Sequence, residues 1–349
     1  MTLLSSLLPW QQQDWEHLQD YITQQRVPQA LLISGKKGLG KQHLANQFAY
    51  SLLCAKPQAD GLACGQCHSC LLLSAETHPD FIVEKPDEPG KSITVDQIRR
   101  LCVRLSLKPQ FDSYRVVMIN PADAMNTNAA NAFLKCLEEP AERTVIMLIS
   151  EKYQALPATI VSRCQKIALT IPDREILTAW LQQQKPECVS CDIAILLDLA
   201  QQAPLLALKY ADDDTLSLRN TCFNAWIEIA QRRSHPVIVA EHWQQLPGSS
   251  LMFWMTSWVV DMIKCRYHVK PPLLYNPDLN KSLQALSQRL ELKGLYKLYD
   301  LLLISRRRLE TTINKQCLFE EILIQWFQLN QSTHHGRIRT KTRYIDAFN

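Results

Sequence analysis

The stretch "LLISGKKGLGKQHLA", Leu31–Ala45, decides the fold because it places a glycine-rich turn between an apolar run and a helix-like pattern. Gly35, Gly40 and Lys41 match the pattern G-x-x-x-x-G-K of a phosphate-binding loop, in which backbone N–H groups and the lysine contact phosphate oxygens. A Ser or Thr that ligates Mg²⁺ normally follows the lysine, but Gln42 stands at that position. The stretch therefore predicts the strand–loop–helix unit of a nucleotide-binding fold in which one magnesium ligand is replaced.

The second magnesium-binding element of such folds is a later strand that ends in an Asp, often followed by a Glu that activates water. The apolar run Arg115–Asn120 is the matching strand, but it ends in Asn120 and Pro121, and Asp123 lies too far along to take the same place. Both replacements affect the same ion and the same water, so we expect no hydrolysis by this chain. ATP binding without turnover, and a loop kept only as a structural turn, both stay open. The candidate phosphate contacts are Gly35, Gly38, Gly40 and Lys41.

The first half of the chain alternates short apolar runs with helix-like stretches, which predicts an α/β fold with a parallel sheet covered by helices. The predicted strands are Ala30–Ser34, Phe81–Glu84, Arg115–Asn120, Thr144–Ser150 and Gln165–Thr170. The predicted helices include Gln42–Leu53, Thr94–Leu105 and Asn128–Leu137. Thr94 and Gln97 have the spacing of a capping box.

The pattern becomes helical after residue 171, so the predicted class is α/β plus all-α. We predict a nucleotide-binding domain over residues 1–171, a small helical domain over 172–211 and a larger helical domain over 212–330. The most apolar stretch, Leu251–Ile263, contains Asp261 and is too short for a membrane span, so it is predicted to be a buried helix. The basic tail, residues 331–349, is predicted to be poorly ordered and contains Arg337, Arg339, Lys341 and Arg343.

The composition is that of an ordinary globular protein, with 46% hydrophobic and 21% charged residues among 349. A formal net charge of +4 is too small to predict nucleic-acid binding by itself. The N-terminal stretch lacks the pattern of a signal peptide, and no apolar run reaches the length of a membrane span. We therefore expect a cytoplasmic protein with no membrane partner, whose twelve cysteines are reduced rather than paired in disulfides.

Four cysteines form a candidate metal site: Cys54, Cys64, Cys67 and Cys70, with the spacing C-x₉-C-x₂-C-x₂-C. Four thiolates suit a closed, tetrahedral and structural Zn²⁺ site. A C-x₂-C-x₂-C run also occurs in iron–sulfur ligation, commonly with a Pro near its end, whereas Leu71 follows the last cysteine here. Zinc that fastens an insertion over residues 54–70 is the preferred interpretation, with iron–sulfur ligation and free thiols as the alternatives.

The other cysteines show no second metal pattern. Cys188 and Cys191 form a single C-x-x-C pair and are interpreted as ordinary helix or loop residues. The isolated cysteines are predicted to face the core, as this residue type commonly does. They are Cys102, Cys136, Cys222, Cys265 and Cys317.

Arg163 lies in the run Ser162–Cys164, immediately before the last predicted strand. An arginine at such a boundary of a nucleotide-binding sheet can contact the γ-phosphate that a neighbouring subunit holds, as an arginine finger supplied in trans. The alternative is a surface residue that forms a salt bridge.

Several segments, in this order and spacing, resemble the AAA+ clamp-loader subunits of bacterial DNA polymerase III. They are "VPQALLISGKKGLGK" (27–41), the four-cysteine insertion, "THPDF" (77–81), "TVDQIRRL" (94–101), "NAANAFLKCLEEP" (128–140) and "LPATIVSRC" (156–164). The resemblance is strongest over Leu31–Thr170. Further along, "LLLISRRRLETTINKQCLFEEILIQW" (301–326) is similar to the C-terminal helical ending of the family.

The resemblance implies an AAA+ P-loop base domain with a zinc insertion, a small helical lid and a helical collar that joins a hetero-pentameric ring. It implies that Arg163 contacts ATP bound by an adjacent motor subunit. The implied partners are gamma or tau motor subunits, a delta subunit, the sliding clamp and primer–template DNA. Motor subunits of the family keep a Lys-Thr or Lys-Ser and an Asp-Glu pair, from which this chain departs at Gln42 and Asn120. Its lid stretch, Leu199–Ala211, also lacks the Gly-x-Pro-Gly pattern and the nucleotide-sensing Arg of active members.

Two rival functions stay open on the sequence. Lys41 favours an autonomous AAA+ ATPase with atypical metal ligation. The four cysteines and the basic tail favour a zinc-containing module that binds DNA through the phosphate backbone. A non-hydrolysing clamp-loader subunit that donates Arg163 is the preferred interpretation.

Overall fold

The computed structural model describes residues 7–335, except positions 89, 107, 112, 269–273, 310 and 312. The chain divides into two compact units, Met1–Gln184 with Gln202–Ala207, and Lys185–Gln201 with Leu208–Asn349. The three-domain layout with boundaries at 171 and 211 stays a prediction.

The first unit is built on one parallel sheet of five strands in the order β2-β3-β4-β1-β5. The strands are β1 Ala30–Ser34, β2 Phe81–Glu84, β3 Arg115–Ile119, β4 Thr144–Ser150 and β5 Gln165–Ala168. The three central strands are buried on both faces, whereas the edge strands β2 and β5 are partly exposed. The predicted parallel sheet is confirmed, with β3 and β5 ending slightly earlier than predicted.

Helices cover both faces of this sheet. The helices of this unit are α1 Gln12–Thr23, α2 Lys41–Leu53, α3 His68–Ser74, α4 Val95–Leu105, α5 Thr127–Glu138, α6 Ala158–Val161 and α7 Arg174–Gln184. Because side chains alternate along a strand, Leu31 and Ile33 pack with α2 in one core while Leu32 packs with α4 and α5 in the other. The predicted capping box is confirmed: the Thr94 N–H donates to Gln97 Oε1 at 2.9 Å, and the Gln97 N–H donates to Thr94 Oγ1 at 3.4 Å.

The remaining helices are α8 Ser190–Leu199, α9 Pro204–Asp212, α10 Thr215–Ala230, α11 Pro236–Trp243, α12 Gly248–Arg266, α13 Asn280–Arg289, α14 Leu292–Arg308 and α15 Lys315–His335. No strand follows Ala168 among the described residues, which confirms the all-α prediction for the second half. Large aromatic side chains fill the core of the second unit, where Trp226 and Trp326 stack with ring centroids 4.3 Å apart. The predicted buried helix at Leu251–Ile263 is the centre of α12.

A buried polar network explains the charged residue inside the apolar helix α12. Asp261 accepts backbone N–H groups of Tyr275 and Asn276 at 2.9 and 2.8 Å, and burial raises its pKa. The Asn276 side chain in turn accepts from the fully buried Arg219, which also pairs with Asp278 at 2.8 Å. The network ties the segment around residue 276 to α10 and α12, because the carboxylates and the Asn276 amide find hydrogen-bond partners there.

In the described part of the chain, no single helix has both the length and the apolar composition of a membrane span, although the bent pair of α8 and α9 reaches them together. Helix α15 continues to His335, so the first residues of the predicted tail are helical. The basic residues from Arg337 to Arg343, on which the tail prediction rests, lie outside the described residues.

Candidate functional site: a phosphate loop without magnesium ligands, a four-cysteine cluster and an exposed arginine

The phosphate loop joins β1 to α2, as the sequence predicts. Gly38 and Gly40 have φ angles of +83° and +85°, a left-handed conformation that favours glycine. A Cβ atom at Gly38 would lie 2.9 Å from the Cβ of Leu206, so the loop also needs glycine for lack of space. Gly40 is the N-cap of α2, whose first N–H groups are the usual anion-binding donors of such a loop.

Lys41 is buried within this loop. Its Nζ donates to the carbonyl oxygens of Gly35 and Lys36, each at 2.8 Å. Burial lowers the pKa of Lys41, while the nearby carboxylates of Glu151 and Asp123 act in the opposite direction. The ammonium group is therefore placed at the mouth of the loop with two carbonyl partners.

The side chains at the two positions where the sequence pattern would place magnesium ligands are hydrogen-bonded to each other. Asn120 Nδ2 donates to Gln42 Oε1 at 3.0 Å, although the two residues are 78 positions apart. Sequence reasoning treated the two replacements as separate losses. The structure brings them together as one neutral amide pair between the start of α2 and the end of β3.

Asp123, the first acidic residue in the sequence after β3, is hydrogen-bonded to residues at the end of β4. Its Oδ1 accepts from Ser150 Oγ at 2.6 Å and from the Glu151 N–H at 3.1 Å. These contacts give the Asp123 carboxylate two partners at the end of β4. It links the 3₁₀ turn after β3 to the end of β4.

A cavity of about 580 Å³ lies beside the loop, within the usual size range of small-molecule sites. Its polar lining includes Lys41, Gln42, His43, Asn46, Asn120, Glu76 and Glu151. The lysine and the amides suit phosphate oxygens, whereas the two carboxylates disfavour anions. The cavity therefore has the size for a nucleotide and a mixed electrostatic character.

Residues near the N-terminus support the loop, which sequence reasoning missed. Trp10 Nε1 donates to the carbonyl of Leu39 at 3.0 Å, and the fully buried Gln11 donates through Nε2 to the carbonyl of Gly40 at 2.8 Å. In the sequence, these two residues simply follow Pro9 as a Trp and a Gln. This pattern does not indicate that they contact the phosphate loop about thirty residues further along the chain. The loop conformation is thus stabilised by contacts that do not involve a nucleotide.

The four predicted metal ligands converge. The Sγ atoms of Cys54, Cys64, Cys67 and Cys70 all lie within 4.8 Å of one another. The Sγ atoms of Cys54 and Cys67 are 3.9 Å apart, and so are those of Cys64 and Cys70. Tetrahedral Zn²⁺ with Zn–S bonds of about 2.3 Å requires sulfur–sulfur distances of about 3.8 Å. The arrangement therefore fits a tetrahedral metal ion of this size.

The cluster also provides the hydrogen bonds that thiolate ligands need. The Cys64 N–H donates to Cys54 Sγ and the Cys67 N–H donates to Cys64 Sγ, both at 3.3 Å. The N–H groups of Gln66 and Cys67 lower the pKa of the Cys64 thiol to about 6, whereas burial raises the pKa of Cys70. N–H donors that hold ligands in place are the usual outer layer of a metal site. Cys54–Cys70 is thus a candidate metal centre with a complete four-sulfur ligand set.

The motif Thr77–Phe81 connects this cluster to the sheet. The Asp80 N–H donates to His78 Nδ1 at 3.1 Å, so the proton of the ring lies on Nε2, which donates to Ser69 Oγ at 2.8 Å. Ser69 lies between Cys67 and Cys70, and burial lowers the pKa of His78, which favours its neutral form. A neutral histidine therefore links α3 to the start of β2.

Asp80 forms a buried ion pair with Arg115 at the start of β3. The Arg115 guanidinium donates to Asp80 Oδ1 at 3.0 and 3.2 Å, and both side chains are almost fully buried. The carboxylate also accepts N–H groups of Gln110 and Phe111 at 2.9 Å. The pair fixes the loop before β3 against the loop before β2.

We predict that Asp80→Asn lowers the free energy of unfolding by about 3–5 kcal/mol, because it leaves the buried Arg115 guanidinium without its counter-charge. The measurement is urea unfolding of the purified chain. Asp96→Asn is the matched control, since Asp96 pairs with Arg99 on the surface at 3.5 Å and its loss changes stability by less than about 1 kcal/mol. Equal effects of the two variants would contradict the prediction.

Arg163 follows α6 and is partly exposed. Its Nη1 donates to the carbonyl of Thr159 at 2.9 Å, and its Nη2 lies 2.6 Å from Glu138 Oε1 at the end of α5. The side chain of Arg163 is 38% exposed and that of Glu138 is 49% exposed. The guanidinium is thus accessible from solvent and is held by two partners of its own chain.

The expectation that no cysteines form disulfides, and that Cys102 and Cys136 are isolated, is wrong. The structure joins them in a disulfide between α4 and α5, with Cα atoms 6.4 Å apart. The packing of two helices against one face of the sheet brings them together, and their spacing in the sequence carries no cue. Cys222 is buried as predicted, whereas Cys265 is only partly buried and Cys317 is exposed.

Comparison with known proteins agrees on one family. Residues 10–173 match the family model described as DNA polymerase III, delta subunit, and residues 213–328 match the model of its C-terminal part. The chain is 33% identical to the DNA polymerase III subunit delta′ of Pseudomonas aeruginosa, over 93% of this chain and 99% of that protein. The chain belongs to the DNA polymerase III subunit delta′ family. Its resemblance to clamp-loader subunits, inferred from the motifs, is confirmed.

Other delta′ proteins extend the comparison. The chain is 30% identical to subunit delta′ of Haemophilus influenzae, over 76% of this chain and 80% of that protein. It is 29% identical to subunit delta′ of Yersinia pestis, over 91% of this chain and 94% of that protein. The predicted class, an α/β part with a parallel sheet followed by an all-α part, is confirmed by the strands and helices of this delta′ family member.

Proposed function

We propose that the chain is a non-hydrolysing subunit of the bacterial sliding-clamp loader and donates Arg163 to the ATP site of a neighbouring motor subunit. The observation that carries the proposal is the hydrogen bond of 3.0 Å between Gln42 and Asn120. It lies between the two positions from which an active P-loop protein would ligate Mg²⁺.

The amide pair is unsuited to magnesium catalysis. Mg²⁺ requires octahedral oxygen ligation, usually with one or two carboxylates and substrate phosphates. Gln42 Oε1 already accepts a hydrogen bond from Asn120, and the Asn120 Nδ2 group is a donor that repels a cation. Asp123 is engaged by Ser150 at 2.6 Å and does not supply the missing carboxylate.

Arg163 supports the second half of the proposal. Its guanidinium is partly exposed beside the start of β5, so a neighbouring subunit can approach it. An arginine supplied in trans stabilises the charge that develops on a transferring phosphoryl group. In this proposal the chain has no magnesium ligands of its own, so Arg163 acts on ATP that a neighbouring subunit holds.

Membership of the delta′ family supports the proposed assembly. The partners are gamma or tau motor subunits and a delta subunit in a hetero-pentameric ring, which acts on the sliding clamp and on primer–template DNA. In this proposal residues 1–171 form the AAA+ base, 172–211 the lid and 212–330 the collar.

The proposed metal is structural Zn²⁺, held by Cys54, Cys64, Cys67 and Cys70. The proposed location of the protein is the cytoplasm.

We predict that the pure chain shows no magnesium-dependent ATP turnover above that of its Lys41→Ala variant. The reason is the missing magnesium ligation at Gln42 and Asn120. The measurement is phosphate release by the chain alone, by motor subunits alone and by the reconstituted mixture. Turnover by the chain alone that disappears in Lys41→Ala would instead establish an autonomous ATPase.

Nucleotide binding without hydrolysis is a second candidate role for the loop. The cavity of about 580 Å³ and the placement of Lys41 beside it favour this role. Equilibrium dialysis of ATP against the chain in the absence of Mg²⁺ tests it. The rival role of a DNA-binding zinc module requires that the isolated chain bind DNA with a steep salt dependence.

A further inference from the structure

Arg163 is held by its own chain through the N–H groups that would contact a phosphate. Nη2 contacts Glu138 Oε1 at 2.6 Å, and Nη1 donates to the carbonyl of Thr159 at 2.9 Å. Arginine uses the same planar fork of donors for carboxylates and for phosphates. Glu138 is therefore a direct competitor for any phosphate that Arg163 contacts.

The position of Glu138 is not explained by helix stability. It is the last residue of α5, where the carbonyl end of the helix dipole disfavours a negative charge. The ion pair with Arg163 offsets this unfavourable placement. A carboxylate at this position serves the arginine rather than the helix.

The pair has the properties of a reversible contact. Arg163 and Glu138 are 38% and 49% exposed, so water can replace either partner at small cost. A γ-phosphate carries more negative charge than a carboxylate and would meet the arginine in a site from which water is excluded. The phosphate therefore displaces Glu138 once a neighbour presents it in the correct place.

We infer that Glu138 is a positioning residue that withholds Arg163 from the neighbour's phosphate until the ring is closed. The inference rests on the proposed function, since it acts through Arg163 as an arginine donor. The Thr159 carbonyl orients the Arg163 guanidinium without balancing its positive charge. The Glu138 carboxylate does balance that charge, so breaking the ion pair is the step that frees the guanidinium for a phosphate.

The test compares Glu138→Gln with wild type in the reconstituted complex. We expect ATP turnover without clamp and DNA to rise about two- to five-fold, the size expected for loss of one exposed ion pair. Turnover with clamp and primed DNA should stay unchanged, because Arg163 is then already released. Glu139→Gln is the matched control: it removes the same charge at the next residue and should leave both rates unchanged.

Two results would overturn the inference. Unchanged turnover without clamp and DNA would mean that Glu138 does not withhold the arginine. A fall in both rates would mean that Glu138 holds Arg163 in its active orientation instead. Assembly of each variant complex, measured by gel filtration, verifies that the rates refer to intact rings.

The Arg163→Ala background separates the inference from the function on which it rests. If Arg163→Ala leaves turnover unchanged, the proposed arginine donation fails. If Arg163→Ala lowers turnover but Glu138→Gln does not raise the rate without clamp and DNA, only the inference about Glu138 fails. In the double variant, Glu138→Gln should have no effect of its own, and an increase there would contradict an action through Arg163.

Discussion

Arg163→Ala will lower ATP hydrolysis at the neighbouring motor site by about 10³-fold, the lower end of the range for loss of an arginine finger supplied in trans. The side chain is partly exposed, and its polar partners among the described residues are the surface carbonyl of Thr159 and the carboxylate of Glu138, so its removal should not disturb the fold. The measurement is turnover by a complex in which only the adjacent motor subunit keeps its P-loop lysine. This arrangement prevents other motor sites from masking the loss.

Two companion variants sharpen this prediction. Arg163→Lys keeps the charge but loses the planar fork, so it should recover only a small part of the lost rate. Arg26→Ala removes another exposed arginine of the same chain and should leave turnover unchanged. A normal rate for Arg163→Ala in an assembled complex would refute the role of Arg163.

The second large effect concerns the four-cysteine cluster. We expect Cys64→Ser with Cys67→Ser to reduce bound zinc from about one equivalent to about zero, because two of the four thiolate ligands are lost. Zinc-binding peptides gain about 10–16 kcal/mol of free energy from their metal. If about a third of this free energy stabilises the sheet, loss of the metal lowers the free energy of unfolding by about 3–5 kcal/mol. The expected fall in melting temperature is roughly 10 °C.

The second C-x-x-C pair of the chain supplies a matched control. Cys188→Ser with Cys191→Ser changes the same residue types at the same spacing, at a partly buried and an exposed position. This variant should keep its zinc and its melting temperature. Metal content by mass spectrometry and melting by circular dichroism measure the two quantities. An unchanged melting curve after verified zinc loss would show that the cluster does not stabilise the fold.

Local features of the fold were predictable because their causes lie within a few residues. The strand Ala30–Ser34 is an unbroken apolar run that ends at a glycine, and the structure has it with the predicted bounds. Thr94 and Gln97 form a capping box because both partners belong to one helical turn. The four cysteines also converge within one short insertion, so their spacing alone indicated a shared ligand set.

Contacts between distant segments were not predictable in the same way. The bond between Gln42 and Asn120 depends on β1 and β3 lying in one sheet, and a single sequence does not specify strand order. The ion pair of Arg163 with Glu138 depends likewise on the packing of α6 beside α5. Sequence reasoning therefore singled out Gln42, Asn120 and Arg163 but did not identify the partners that these side chains contact.

The strand order also has a consequence for synthesis of the chain. Ile33 in β1 pairs with Ile149 on one side and with Ile167 on the other, so neither neighbour exists when β1 leaves the ribosome. At about 5–20 residues per second, the first of them is made roughly 6–23 s later. The four-cysteine cluster closes within a short segment and can form during this delay, as local contacts do. The phosphate loop therefore acquires its shape only well after its own residues are made.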